Sequence, residues 1–425
     1  MDDQLVLSGD FSVNNHSTTS SEPGTPVHHI IAGSFRSLAL FLLAFSPFNR
    51  TISHVQTIPA FGPHQYLAVN PQRDRVYTTS WAQPPSLSSW SVDKSDHFWD
   101  KWSVNLVNTV PITATSSYIT LPPPYTHIYS AGGPTGEVHA VEPSTRGFGV
   151  KAQQLLFVAE DDLPAADKTR VALRYGSHAI EFSSHGFAFI PVLGTNSIER
   201  YRLSSLLPGG LDHIGTTLSP RPHDGPRHLI ISPNGSKLYV ITEHTNFLDV
   251  YNISHTGGLI LAQSRSIIPQ ESRPNVSHYR GDTLRFLPPS PLHPSPMFLF
   301  ATTRGAMVET KGWLTVFRLD QEGAIVGEDT EDGVERWETP TSGGKANAIE
   351  IIHGETDGGQ DMKAWIVLTD DDESVVNGGP GIRVIEWSGW KKGISVVAEW
   401  PMERGSQTSF EGERMRGGSH AVWLD

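Results

Sequence analysis

Two stretches of this chain, roughly fifty residues apart, superpose as copies of one unit. Residues 178–203, HAIEFSSHGFAFIPVLGTNSIERYRL, align with residues 227–253, RHLIISPNGSKLYVITEHTNFLDVYNI. His178 falls on Arg227 and Gly186 on Gly235; after one inserted residue, Asn196 falls on Asn246 and Tyr201 on Tyr251. Short β-rich runs between turn residues, repeated at this period, are the mark of propeller blades. The innermost strand of each blade begins beside the central channel. Matched positions therefore tell which side chains can meet there.

The unit recurs along the chain. Gln65 opens QYLAV, followed by RVYTTSW, and Ser117 lies in a weaker copy, SSYITL, followed by HIYSA. Asp282 opens DTLRF, with MFLFATTR after an insertion, and Asn347 opens NAIEI, followed by AWIVLTD. His420 opens HAVWL at the C-terminal end, and residues 28–34, 38–45 and 51–58 supply the three strands it lacks. The last strand thus completes the first blade and leaves no open sheet edge. The expectation is an all-β, seven-bladed β-propeller over residues 27–425, closed by pairing of the C-terminal strand with the N-terminal blade. Residues 1–26, polar and rich in Ser, Thr and Asn, read as a disordered lead-in. The acidic, Gly-containing stretch 320–345 reads as a long inter-strand loop and 401–418 as a polar connection.

Composition narrows the function. A net charge of −13 argues against nucleic acid or an anionic membrane as partner, although a local Arg cluster can still hold a small anion. The absence of cysteine removes disulfides, thiolate metal sites and a Cys nucleophile. The longest apolar run, Leu38 to Phe45, is too short to span a bilayer and lacks the basic flank of a secretory leader. A cytoplasmic protein is expected, so the sequons at Asn15, Asn49, Asn234, Asn252 and Asn275 carry no expectation of glycosylation. Association into a homo-oligomer is compatible with the sequence. G-x-S-x-G, H-E-x-x-H and P-loop patterns are all missing. Asp370-Asp371-Asp372-Glu373 reads as an acidic turn in preference to a cation site.

The inner-strand starts are then Gln65, Ser117, His178, Arg227, Asp282, Asn347 and His420, a polar ring that a solvated channel would also show. The ends of two second strands are more telling. LYVITE ends at Glu243 and LFATTR at Arg304, the matching position one blade on. A pleated apolar strand needs no charge there. Paired guanidiniums recognise carboxylates through planar forks, with Arg280 close by in sequence. His178 and Glu243 offer proton transfer if their surroundings tune them; equally, Glu243 simply neutralises Arg227 or Arg304.

At these residues the chain resembles the seven-bladed propeller lactonase family, and within it the fungal enzymes that lactonise 3-carboxy-cis,cis-muconate. The segments are HHIIAGS (28–34), GSHAIEF (176–182), GPRHLIISPNGSKLYVITE (225–243), YRGDTLRF (279–286), TTRGAMVE (302–309), PTSGGKANAI (340–349), LTDDDE (368–373) and HAVWLD (420–425). The resemblance implies a metal-free, cofactor-free cycloisomerase in which one carboxylate of an unsaturated polycarboxylate adds across a double bond to make a γ-lactone. It carries catalytic roles onto His178, Arg227, Glu243 and Arg304; Arg280, Lys345, Asn347 and His420 are expected to bind substrate. Lys345 stands where the family usually has His, and His420 where it usually has Asn. A lactone hydrolase of the phosphogluconolactonase type and a non-catalytic ligand-binding propeller are the alternatives.

Overall fold

The computed structural model describes residues 26–95, 101–291, 293–354, 362–376, 378–401 and 414–425. The expected lead-in, except residue 26, and most of the 401–418 connection lie outside these residues. Seven antiparallel sheets follow one another along the chain. Blade 1 combines Ala421–Trp423 with His28–Ala32, Ala39–Ser46 and Thr51–Pro59, and blade 2 runs from Leu67–Val69 to Ser103–Pro111. Blade 3 spans Ser116–Thr120 to Phe148–Leu156, blade 4 Glu181–Phe182 to Leu211–Leu218, and blade 5 Pro226–Ile231 to Leu259–Ser266. Blade 6 begins at Tyr279–Phe286 and blade 7 spans Ile349–His353 to Ile394–Trp400. The closing strand pairs as expected, with Ile30 opposite Trp423, Ile31 opposite Val422 and Ala32 opposite Ala421.

The core lies between blades, as a ring. Val76 and Trp90 of blade 2 pack with Leu40 and Leu42 of blade 1. On the other side of blade 1, Phe41 and Phe45 pack with Trp365 and Trp400 of blade 7. A middle strand covered on both faces reads as one continuous apolar run, and Ala39–Ser46 is buried at every residue. Outer strands such as Thr51–Pro59 mix buried and exposed positions.

The repeat that first marked the fold has a conformational cause. Gly186 and Gly235 take φ of 79° and 71° in the hairpins between first and second strands, a region open mainly to glycine. Asn196 and Asn246 take φ of 54° and 56° in the next turn, which Asn tolerates best among side-chain-bearing residues. Each Asn also ties its blade to the following loop. The Asn196 amide donates to the Arg221 carbonyl and accepts from Gly225 N–H, while that of Asn246 donates to Val276 and Tyr279.

One expectation is corrected. The acidic stretch 320–345 contains two short outer strands, Ile325–Val326 and Val334–Glu338, both paired with Trp313–Leu319. The charges concealed them. Glu335 is buried, and its carboxylate accepts from the Trp387 indole at 3.0 Å and the Lys391 backbone at 2.8 Å.

Candidate active site

Four of the expected residues meet at one end of the channel, between blades 4, 5 and 6. Arg227 lies in the innermost strand of blade 5, and Glu243 follows that blade's second strand, Lys237–Thr242. Arg304 lies in the second strand of blade 6, Phe298–Gly305. Gly281 locks the two blades together. Its N–H donates to the Glu243 carbonyl at 3.0 Å, and a Cβ there would stand 2.3 Å from the Thr242 carbonyl oxygen.

Glu243 bridges both guanidiniums: Oε2 lies 3.1 Å from Arg227 Nε and Oε1 2.9 Å from Arg304 Nη2. A fifth residue joins them. Asp282 Oδ1 lies 2.6 Å from Arg227 Nη1 and 4.0 Å from Arg304 Nε. The sequence had placed Asp282 on the ring without assigning it a role. Two guanidiniums and two carboxylates make the quartet electrically neutral. Burial pushes the Glu243 carboxyl up, but Arg304 and then Arg227 outweigh it and hold it at about 2. Glu243 is therefore ionised at neutral pH and poor at giving a proton.

His178 follows the 3-10 helix Arg170–Arg174, and its Nε2 lies 2.8 Å from the Leu173 carbonyl. A carbonyl only accepts, so Nε2 carries the proton and Nδ1 is a lone pair. Among the described residues nothing bonds to Nδ1. Burial first, then the charge of Arg227, pushes the imidazole down to about 3, so it is neutral in the free protein. Gly176 allows this turn to pack, because a Cβ there would lie 2.0 Å from the Gly132 carbonyl oxygen.

The other expected residues divide. Asn347 is buried and structural: its amide donates to the Thr303 carbonyl at 2.9 Å, and its N–H donates to Asp282 Oδ2 at 2.7 Å. Lys345 stands at the channel mouth, 2.8 Å from Asp371. Arg280 does not join the cluster. Its side chain donates to the Ser277 and Tyr279 carbonyls, and among the described residues no side-chain bond links it to the quartet, although its backbone lies opposite that of Arg304 in the blade 6 sheet.

His420 enters the channel one step deeper than expected. Leu67 N–H donates to His420 Nδ1 just as Leu284 N–H donates to His228 Nδ1. Ser419 Oγ likewise donates to the His64 carbonyl as Ser117 Oγ does to that of Ser177. Ser419 thus holds the ring position, and the closing copy is shifted by one. HAVWL, apolar after its first residue, contains nothing to fix its register.

That deeper layer forms the floor of the site. Arg285 lies 2.7 Å from Glu350 and donates to the Tyr66 hydroxyl; Tyr66 stacks on His420 with ring centres 3.8 Å apart. Tyr118 donates to Glu181, whose carboxyl burial raises to about 7. Above this floor, Phe35, Tyr66, Ser117, His178, Arg227 and Asp282 are among the residues around a recess of only about 20 Å³. That is room for roughly one or two waters. A roomier cavity of about 600 Å³ lies between blades 3 and 4, where Gln153, Tyr201 and His213 are among its lining residues. His213 is already paired with Glu199 at 2.8 Å there.

The three aspartates of the acidic turn are committed within the protein, while Glu373 is exposed. Asp370 pairs with Arg383, Asp371 with Arg36 and Lys345, and Asp372 accepts from Ser342 and Ser374.

Among known proteins, the chain is 27% identical over 381 residues to muconate cycloisomerase 1 of Cutaneotrichosporon cutaneum, covering 88% of this chain and 93% of that one. It is 27% identical over 204 residues to the carboxy-cis,cis-muconate cyclase of Neurospora crassa, covering 44% of this chain and 50% of that one. The periplasmic gluconolactonase PpgL of Pseudomonas aeruginosa shares the fold, with a TM-score of 0.68 at 14% identity over 94% of this chain and 99% of that one. The family described as "Lactonase, 7-bladed beta-propeller" matches residues 30–334. The chain belongs to that seven-bladed propeller lactonase family.

Proposed function

We propose that this protein is an enzyme that interconverts an unsaturated polycarboxylate of the 3-carboxy-cis,cis-muconate type and its γ-lactone. The observation that carries this is one geometry: two guanidiniums joined through Glu243, beside a neutral imidazole whose Nδ1 is unpartnered among the described residues. The names of the two curated relatives supply the substrate class.

In the lactonising direction, one carboxylate oxygen bonds to the far carbon of the double bond conjugated with another carboxyl group. The π electrons move onto that second carboxyl group, building enolate-like charge on its oxygens. Arg227 and Arg304 stabilise that charge once it displaces part of their contact with Glu243. The α-carbon then takes one proton, so the carboxylate form of the substrate consumes one proton per turnover.

His178 supplies that proton. Its pKa is low in the free protein because of burial and the Arg227 charge. The negative charge of a bound polyanion offsets that of Arg227 and attracts a proton to the ring, so the imidazole charges when substrate arrives. In reverse, Nδ1 removes the same α-proton. Glu243, held ionised, positions the two guanidiniums. Confinement of a flexible diene acid in its cyclising shape supplies much of the remaining acceleration.

Hydrolysis of a lactone by water is a second reading, and the family description supports it equally. The same guanidiniums would hold the oxyanion and Nδ1 would activate water. Incubating the protein with 3-carboxymuconate and with its lactone, and identifying products by mass, separates the two. Lactonisation conserves mass, whereas hydrolysis adds one water. Wild-type protein inert toward both would sink the proposal.

A further inference from the structure

The quartet that touches the reacting end of the ligand has no net charge, and the whole chain carries −13. Attraction for a polyanion must therefore come from elsewhere. The mouth of the recess holds a second group of cations. Arg36 donates from Nε and Nη2 to the two carboxylate oxygens of Asp371, at 2.8 and 3.0 Å, and Lys345 Nζ lies 2.8 Å from Oδ2. Asp371 is fully buried, while the Arg36 and Lys345 side chains are 36% and 39% exposed. Two cations share one carboxylate, so donors remain on the solvent side. Exposed Glu373 acts on Arg36 only at longer range.

These cations adjoin the site. Phe35, which precedes Arg36, lines the recess together with His178 and Arg227. Lys345 Nζ lies 5.9 Å from the Phe35 ring centre, and the preceding Gly344 carbonyl accepts from Arg304 at 3.3 Å. Phe35 packs on Trp81 with ring centres 4.7 Å apart, giving the mouth an apolar wall.

We propose that Arg36 and Lys345, steadied by Asp371, form a mouth subsite for a carboxylate at the outer end of the ligand. The channel then selects acids with three carboxylates over acids with two. The proposal rests on the anion-binding part of the function above and leaves the chemical step aside. Asp371 performs two tasks here: it fixes the forked Arg36 in place and keeps both cations from repelling each other.

Calorimetric titration of the full chain with cis-aconitate, a tricarboxylate, and maleate, a dicarboxylate, tests this. Wild type should bind cis-aconitate more tightly. Arg36→Gln and Lys345→Gln should each weaken cis-aconitate by about tenfold, the worth of one charge-assisted contact, and leave maleate within about twofold. Thermal melting unchanged from wild type shows that each variant is folded, and neither substitution removes the last partner of Asp371. Equal weakening of both acids, or of neither, overturns the subsite. Selective loss of cis-aconitate affinity in a protein that turns over no muconate upholds the subsite and removes the proposed reaction.

Discussion

Replacing Glu243 by Gln keeps the shape of the side chain and removes the negative charge between Arg304 and Arg227. The carboxyl is held at about 2 against an ordinary 4.5, a preference for the ionised form worth about 3 kcal/mol. Breaking one member out of a buried ion-pair network costs about 3–5 kcal/mol, so a loss of about 3 kcal/mol is expected. With about 2.1 cal/mol/K of unfolding entropy per residue over roughly 400 residues, that loss lowers the melting temperature by about 4 °C. The sign follows from the depressed pKa: the contribution is present above pH 4.5 and disappears as pH falls through about 2. Scanning calorimetry of wild type and variant should therefore show the full gap at pH 7 and a shrinking gap at pH 4 and 3. Turnover should fall by no more than about tenfold, because Glu243 positions the guanidiniums and transfers no proton. Equal melting temperatures at pH 7, a gap that persists in acid, or a loss of activity as large as that of a His178 variant would each refute this assignment.

Three further outcomes follow from the same geometry. Nitrogen NMR of the free protein should show His178 as the neutral Nε2–H tautomer throughout pH 5–8, and cis-aconitate should shift it toward the doubly protonated form; an imidazole titrating near 6.5 in the free protein contradicts this. Arg227→Lys keeps the charge but loses the planar fork to Glu243 and Asp282, so KM for the acid should rise by about tenfold or more while far-ultraviolet circular dichroism stays unchanged. Gly281→Ala forces a methyl to within 2.3 Å of the Thr242 carbonyl oxygen; a destabilisation of about 2–4 kcal/mol by denaturant titration is expected, and a neutral result shows the blade 5–blade 6 junction to be looser than described.

The fold was readable because turn chemistry repeats. The paired glycines and asparagines at 186 and 235, and at 196 and 246, share left-handed backbone conformations, so the sequence period mirrors a structural one. Glu243 and Arg304 are legible as charges placed where a buried strand needs none, and His178 and Arg227 as matched starts of inner strands. Asp282 was named on the ring, yet its ion pair with Arg227 depends on the approach of two blades that spacing cannot supply. Arg36 and Asp371 are 335 residues apart and meet only because the ring closes. The floor of the channel left a signal that went unread. Glu181, Arg285 and Glu350 occupy the same fourth position in HAIEF, DTLRF and NAIEI, and comparing those copies column by column would have exposed it. The charges of Val334–Glu338 read as a loop because composition does not show their partners: Trp387 and Lys391 of blade 7 for Glu335, Glu331 and the Ser266 carbonyl for Arg336, and Lys311 for Glu338.

The pairing of His178 with the two guanidiniums is tested most directly by following the conjugated-diene absorbance of 3-carboxymuconate with wild type, His178→Asn and Glu243→Gln side by side. Wild type should bleach the diene with uptake of one proton per lactone formed. His178→Asn should be slower by about 10²–10⁴-fold, and Glu243→Gln should remain within about tenfold of wild type. A His178→Asn protein that matches wild type would contradict the proposed role of the imidazole.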